Sequence, residues 1–190
     1  MIPRTPGRVI HPRVFYDEIL LPCYRSFRRR PTIEWVCFSA ISNSDIMAER
    51  MHYFWYYIVF EEPNVPQDAK EEAYEVTPGF LTKKRSVGLR KYREYLVTQC
   101  SDFQLIWDVH DAHKHYSLHR ENASVHHADQ TGRIPMVIQK MQPHHNDAII
   151  QRDEIEAISV VSDSRVIAPA RQILGSVMKM WTGELARVGL

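Results

Sequence analysis

The sequence predicts a mainly α-helical domain of the α+β kind: a bundle of about four to five helices with a small antiparallel β-meander before the C-terminal helix. Three observations carry this expectation. A long stretch ending near Glu61 or Glu62 is apolar on almost every side, a segment near the C-terminus has helical apolar periodicity, and the region between about 119 and 163 is short-stranded, β-branched and cut by turn residues. At 190 residues the chain fills one core, so a single domain over 1–190 is expected.

Taken in order, residues 1–12 carry Pro3, Pro6, Gly7 and Pro12 and read as an irregular arm. The helical part spans 13–118. In "RVFYDEILLPCYRSF", Phe15, Ile19 and Leu20 have helical spacing that Pro22 interrupts. Thr32, after Pro31, is the expected cap of the long helix, and "PNVP" stops it. Residues from Gln67 to Tyr74 form a short helix before a Pro78-Gly79 turn, and "VGLRKYREYLVTQ" places Leu89, Tyr92, Leu96 and Gln99 near one helical face. Ser101 or Asp102 caps a further helix reaching about Leu118. "NASVHHADQT", "IPMVIQKMQ" and "IEAISVV" then read as the strands of the meander, 119–163. The last helix, 164–187, has Ile167, Ala170, Leu174, Val177, Met178 and Trp181 on its apolar side and Pro169 near its first turn.

Composition narrows the classes of function. Apolar residues at 44% and charged residues at 25% are globular values. "YFWYYIVF" is far shorter than the roughly 18 to 20 apolar residues of a membrane-spanning helix, so no membrane association is expected. A net charge of +1 does not indicate nucleic acid as a partner. The arginines at 25, 28, 29 and 30 and the cations of "KKRSVGLRKYR" read as solvated helix ends and loops. Cys23, Cys37 and Cys100 fit neither a disulfide framework nor a zinc motif, and the N-terminus lacks an apolar export signal, so the cytoplasm is the expected compartment.

Two polar strips stand out. At about 100° per residue, Asp45, Glu49, His52 and Tyr56 fall within a strip about 60° wide on the long apolar helix. A buried strip of this kind must be paired, hydrogen-bonded, protonated or bound to metal. In "IWDVHDAHKHYSLHR", Gln104, Asp108, Asp111 and His115 form a second strip about 60° wide, whereas His110 and His113 fall on the apolar arc and are expected on the core side. If the strips face each other, Asp45, Glu49, His52, Asp108, Asp111 and His115 are candidate ligands of a divalent metal, the cofactor expectation here. Asp108, Asp111, His115 and Tyr56 are then the candidate catalytic groups for hydrolysis of a phosphoester. The alternative is a non-catalytic helical module whose strips set helix register or self-association; Trp181 serves a homodimer interface or a core equally well on sequence grounds.

Several short motifs resemble known families. Glu49-Arg50-Met51-His52 resembles the Glu-x-x-His ligand pairs of ferritin-like di-metal bundles, although the second helix offers Asp-x-x-Asp-x-x-x-His instead. "HDAHK" resembles the His-Asp-x-x-Lys core of HD-domain phosphohydrolases. That likeness implies a metal on His110 and Asp111, with His52 upstream and Asp147, Asp153 or Asp163 downstream. "RENASVH" resembles the Arg-x(4-6)-His element of HEPN ribonucleases and implies RNA cleavage by Arg120 and His126, often in a dimer. The whole layout also looks like small bacterial or phage helical proteins, which implies no activity. There is no Gly-x-Gly-x-x-Gly, Gly-x-x-x-x-Gly-Lys or Gly-x-Ser-x-Gly string, which argues against the usual nucleotide loops and nucleophile elbow.

Overall fold

The computed structural model describes residues 10–77, 79–115, 123–125, 131–144, 147–162 and 165–190, with backbone alone for most of 131–167. The chain is mainly helical. Its first helix, α1 (Pro12–Phe15), begins at Pro12, so the predicted arm ends one residue earlier than expected. Proline suits the first helical position because its missing N–H has no partner there in any case, and His11 Nδ1 accepts the Arg13 N–H at 3.2 Å.

A π-helical turn, Tyr16–Leu20, follows, and α2 (Leu21–Arg29) starts directly after it. Pro22 therefore does not interrupt the helical path as expected. It sits in the first turn of α2, where the widened turn before it removes the need for its N–H.

The predicted long helix is α3 (Glu34–Tyr56), closed by a second π-helical turn at Tyr57–Glu61 ahead of Pro63. The residue at its N-terminal boundary is Ile33, and no side chain caps it; Thr32 is not the cap. Val36, Cys37, Ala40, Ile41, Met47, Ala48, Met51, Phe54 and Trp55 are buried around its circumference. This helix touches α1 and α2 and also α5 (Arg85–Gln99), α6 (Asp102–His115) and α7 (Ala170–Arg187), which makes it the axis of the core.

Between α3 and α5 runs α4 (Gln67–Val76), followed by a turn in which Gly79 has φ of 80°, a conformation that favours glycine. At Gly88 the reason for glycine is contact. A Cβ there would collide with the Phe80 carbonyl oxygen and lie 2.6 Å from His52 Nε2. The missing side chain is what lets α5 approach α3 closely enough to cover the polar strip.

After α6 the backbone of 123–125 is irregular rather than a strand, and the rest of the first predicted strand, up to Gln130, lies outside the described residues. Extended backbone then forms β1 (Thr131–His144), β2 (Asp147–Ser162) and β3 (Arg165–Pro169), paired antiparallel in the order β1-β2-β3. The C-terminal helix starts at Ala170, not at 164. Pro169 biases Ala168 toward extended backbone and Val166 and Ile167 are β-branched, so these residues join β2 instead of the helix.

On α7, Leu174, Val177 and Trp181 are fully buried, and Trp181 meets Phe103 of α6 edge to face with centroids 5.8 Å apart. Trp181 is a core residue, so it is not available to a dimer interface. One turn later the buried Glu184 accepts bonds from Tyr92 Oη at 2.9 Å and from Arg187 at 2.7 and 2.8 Å. Arg187 also donates to the Val76 carbonyl at 2.7 Å, and this network ties α4, α5 and α7 together. No described helix is long and apolar enough to cross a membrane.

Gly88→Ala is expected to lower stability by about 1–3 kcal/mol through overpacking, more than the roughly 1 kcal/mol it gains in helix propensity. Urea unfolding measures this, and a stabilised variant would show that α3 and α5 are not in such close contact.

Candidate functional site

The two predicted strips are joined by a residue that belongs to neither. Arg93, on α5, bonds Asp45 Oδ2 through Nη2 and reaches Glu49 Oε1 at 3.2 Å. Its guanidinium carbon lies 5.4 Å from the Trp107 ring centre, so α6 supplies an aromatic face to the same cation. The Asp45 side chain has 0% exposure, that of Arg93 11% and that of Glu49 43%, which defines a buried ionic hub open on the Glu49 side.

From α6, His110 Nε2 lies 3.7 Å from Asp45 Oδ2, and the Asp111 charge acts on both Asp45 and His110. The strips therefore do approach each other, but through a different subset of residues than the helical projection selects. His110 is in the hub although its position on the apolar arc placed it elsewhere. Its partner on that arc, His113, is exposed rather than core-side and packs on the Phe38 ring at 4.0 Å.

Asp108 is fully buried and serves another purpose. It accepts from Gln104 Nε2 at 2.7 Å and from the Ser124 backbone N–H at 2.6 Å, holding segment 123–125 against α6. His115 is exposed at the end of α6 and is not part of the hub. Tyr56 donates to the Lys83 carbonyl at 3.2 Å and ties α3 to the approach of α5. Asp45, Glu49 and Asp111 are thus gathered near one place, while Asp108, His115 and Tyr56 have separate positions.

Burial dominates the electrostatics. The Asp45 carboxyl is pushed up to about 7 by loss of solvent, which outweighs the attraction of Arg93; the charges of Asp111 and Glu49 push the same way. Its Oδ1 makes no hydrogen bond, so a proton can reside there while Oδ2 stays with Arg93. His52, 3% exposed, is lowered to about 4, first by burial and then by Arg85 and Arg93, against an opposing effect of the Phe80 carbonyl. His110 is lowered chiefly by burial, so near neutral pH it faces Asp45 as a neutral ring. Burial also pushes the Cys37 thiol up to about 12, which leaves it without nucleophilic thiolate.

The metal expectation meets a specific obstacle in this arrangement. Among the described residues no group of three or more His, Cys, Asp or Glu side chains could hold a metal ion. The guanidinium supplies the positive charge that a metal would bring, and Asp108 and His115 are directed elsewhere. For the HD-domain likeness, Asp147 and Asp153 lie on β2 where helices are expected, and Asp163 lies outside the described residues. Arg120 and His126, the residues of the HEPN likeness, also lie outside them.

Arg93 was legible only indirectly. It follows Leu89 by four residues and precedes Leu96 by three, so it shares their inward face, yet it sits within "KKRSVGLRKYR", where a run of cations suggests a solvated surface.

Arg93→Met is expected to destabilise the protein by about 3–5 kcal/mol by stranding buried carboxylate charge, and Asp45→Leu combined with it to lose less than the sum of the two single changes. Denaturant unfolding of the four-protein cycle measures the coupling; simple additivity would contradict the hub.

The sign of the pH dependence follows from the shifts. Between about pH 4 and 7 folded Asp45 keeps a proton that the unfolded chain releases, so its contribution declines as pH rises across that window. Folded His52 instead binds a proton less readily than the unfolded chain between about pH 4 and 6.5, so its contribution rises with pH there. In Asp45→Asn the rise of stability from pH 4.5 to 6.5 should therefore be steeper than in the wild type, as read from urea midpoints; parallel profiles would refute the raised Asp45. The His52 ring should remain neutral to about pH 4 by NMR titration.

Set beside known proteins, the chain matches no family model, no curated protein and no solved structure.

Proposed function

We propose that this protein is a non-catalytic helical binding module in which the ionic hub between α3, α5 and α6 fixes helix register. Ligand chemistry is left to the clefts around that hub. The observation that carries this reading is the position of Arg93: its guanidinium already neutralises Asp45 and Glu49, and Asp45 has no exposed surface on which a substrate could act. The reducing cytoplasm is the compartment we assign, on three free cysteines, of which Cys37 is buried.

A second reading, a divalent-metal site supporting phosphoester hydrolysis, draws on the approach of Asp45, Glu49 and Asp111. It requires a metal to displace Arg93. The two readings separate on thermal melts with Mn²⁺, Zn²⁺ and Fe²⁺ together with turnover of bis(p-nitrophenyl) phosphate. The binding module is expected to show no metal-dependent rise in Tm and no turnover. A saturable rise in Tm, accompanied by turnover that Asp45→Asn abolishes, would replace it with the hydrolase.

A further inference from the structure

Beside the hub, the faces of α3 and the first turns of α5 enclose a cleft of about 270 Å³ lined by Glu49, Arg50, His52, Tyr53, Arg85 and Leu89. Its polar groups are unevenly matched. Arg50 Nε is buried and makes no hydrogen bond, whereas His52 Nε2 faces Gly88 with the Phe80 carbonyl beside it, and among the described residues neither Arg50 nor Arg85 forms an ion pair. Arg85 is held over the Tyr53 ring at 5.0 Å, on the flank of the cleft.

The nearby carboxylates are already engaged. Glu49 is bonded to Arg93 at 3.2 Å, and Glu61 accepts the Tyr53 hydroxyl at 3.0 Å. Two guanidinium groups therefore border one space whose lining carboxylate, Glu49, is already bonded to Arg93. A buried donor left unpaired costs about 1–3 kcal/mol, so a ligand that accepts from Arg50 recovers a loss that the exposed Arg85 does not carry.

The chemistry of such a ligand follows from the count. Two uncompensated guanidinium groups complement a dianion, and their planar forks match the oxygens of a phosphoryl group. The cleft is smaller than the roughly 300–1,000 Å³ typical of drug-sized sites, which limits the ligand to a phosphoryl group and a small organic remainder. Arg85 begins α5, whose N-terminal N–H groups receive no side-chain cap and add positive potential on the same side.

We propose that this cleft binds the phosphoryl group of a small phosphate monoester, with Arg50 and Arg85 clamping its oxygens and His52 closing the floor of the cleft. The inference supplies a ligand class for the binding-module reading. It rests on that reading only in that the ester is bound and not cleaved.

Isothermal titration with glycerol 3-phosphate, inorganic phosphate and acetate, at ionic strength held constant with chloride, tests it. The expected result is one saturable site per chain for glycerol 3-phosphate and for phosphate, with acetate at least about tenfold weaker. Arg85 is exposed, so Arg85→Gln should fold with little change in Tm and weaken glycerol 3-phosphate binding at least about tenfold, as expected for the loss of one charge-assisted bond. Arg29→Gln, on the exposed end of α2, should leave it unchanged.

Absence of saturable binding would overturn the proposal. So would equal weakening by Arg85→Gln and Arg29→Gln, which marks general charge attraction, or acetate binding as tightly as phosphate. Binding of inorganic phosphate without the ester would overturn the assignment to a monoester. Release of phosphate from the ester would refute the non-catalytic reading separately, while Arg85-dependent saturable binding would still support the cleft.

Discussion

Asp45 sits on the central helix with no solvent contact, and a carboxylate in that position needs a positive partner or a proton. Arg93 answers this need from α5, and much else follows from bringing α5 close enough to do so. Gly88 lets α5 come near His52, Tyr56 bonds the backbone just before α5, and Trp107 of α6 covers the guanidinium. Replacing such a hub by apolar residues is often neutral or stabilising in other proteins, so its presence does not by itself make it a source of stability. One fixed set of partners selects one rotation of α3 against α5 and α6.

The hub also explains why the acidic residues near it differ so much in character. Asp45, which bonds Arg93 through one oxygen and leaves the other without a hydrogen bond, is held near neutral titration by burial; Glu49, half exposed, keeps contact with water. Asp108 is as buried as Asp45 but accepts two hydrogen bonds from a glutamine side chain and a backbone amide. Burial alone does not make a chemical site. What the remaining lone pairs and N–H groups find decides whether a group is structural or available, and on that criterion Arg50 Nε beside the cleft and Arg93 Nε in the hub are both buried donors without a hydrogen bond.

A second polar knot, Glu184 with Tyr92 and Arg187, holds the C-terminal helix to α5 and, through the Val76 carbonyl, to α4. The Tyr92 hydroxyl is raised well above its usual range by burial and by the neighbouring Glu184 charge, so it remains a neutral donor. His52 lines both the cleft beside the hub and the tightly packed space bounded by Trp55, Phe80, Tyr92 and Glu184.

Local sequence was sufficient for the mainly helical class, for α3 as a buried axis and for the inward face of α7, because apolar periodicity depends only on the geometry of one helix. Projection likewise found the Asp45, Glu49, His52 and Tyr56 strip. It could not find Arg93 or His110 as members of the hub, or separate Asp108 and His115 from it, since a one-helix projection says nothing of which neighbour lies opposite or how far along its axis. Pro22 within a continuous helical path and residues 165–169 as a strand were hidden for a related reason: a π-helical turn in one case and pairing with β2 in the other supply what local propensity lacks. The sequence by itself marked Asp45 and His52, on a helix apolar on almost every side, as groups that would be buried and need partners. Only the tertiary structure decided that the partner of the acidic strip is an arginine from a third helix, because charge neutralisation in a core is a contact between elements far apart in the chain.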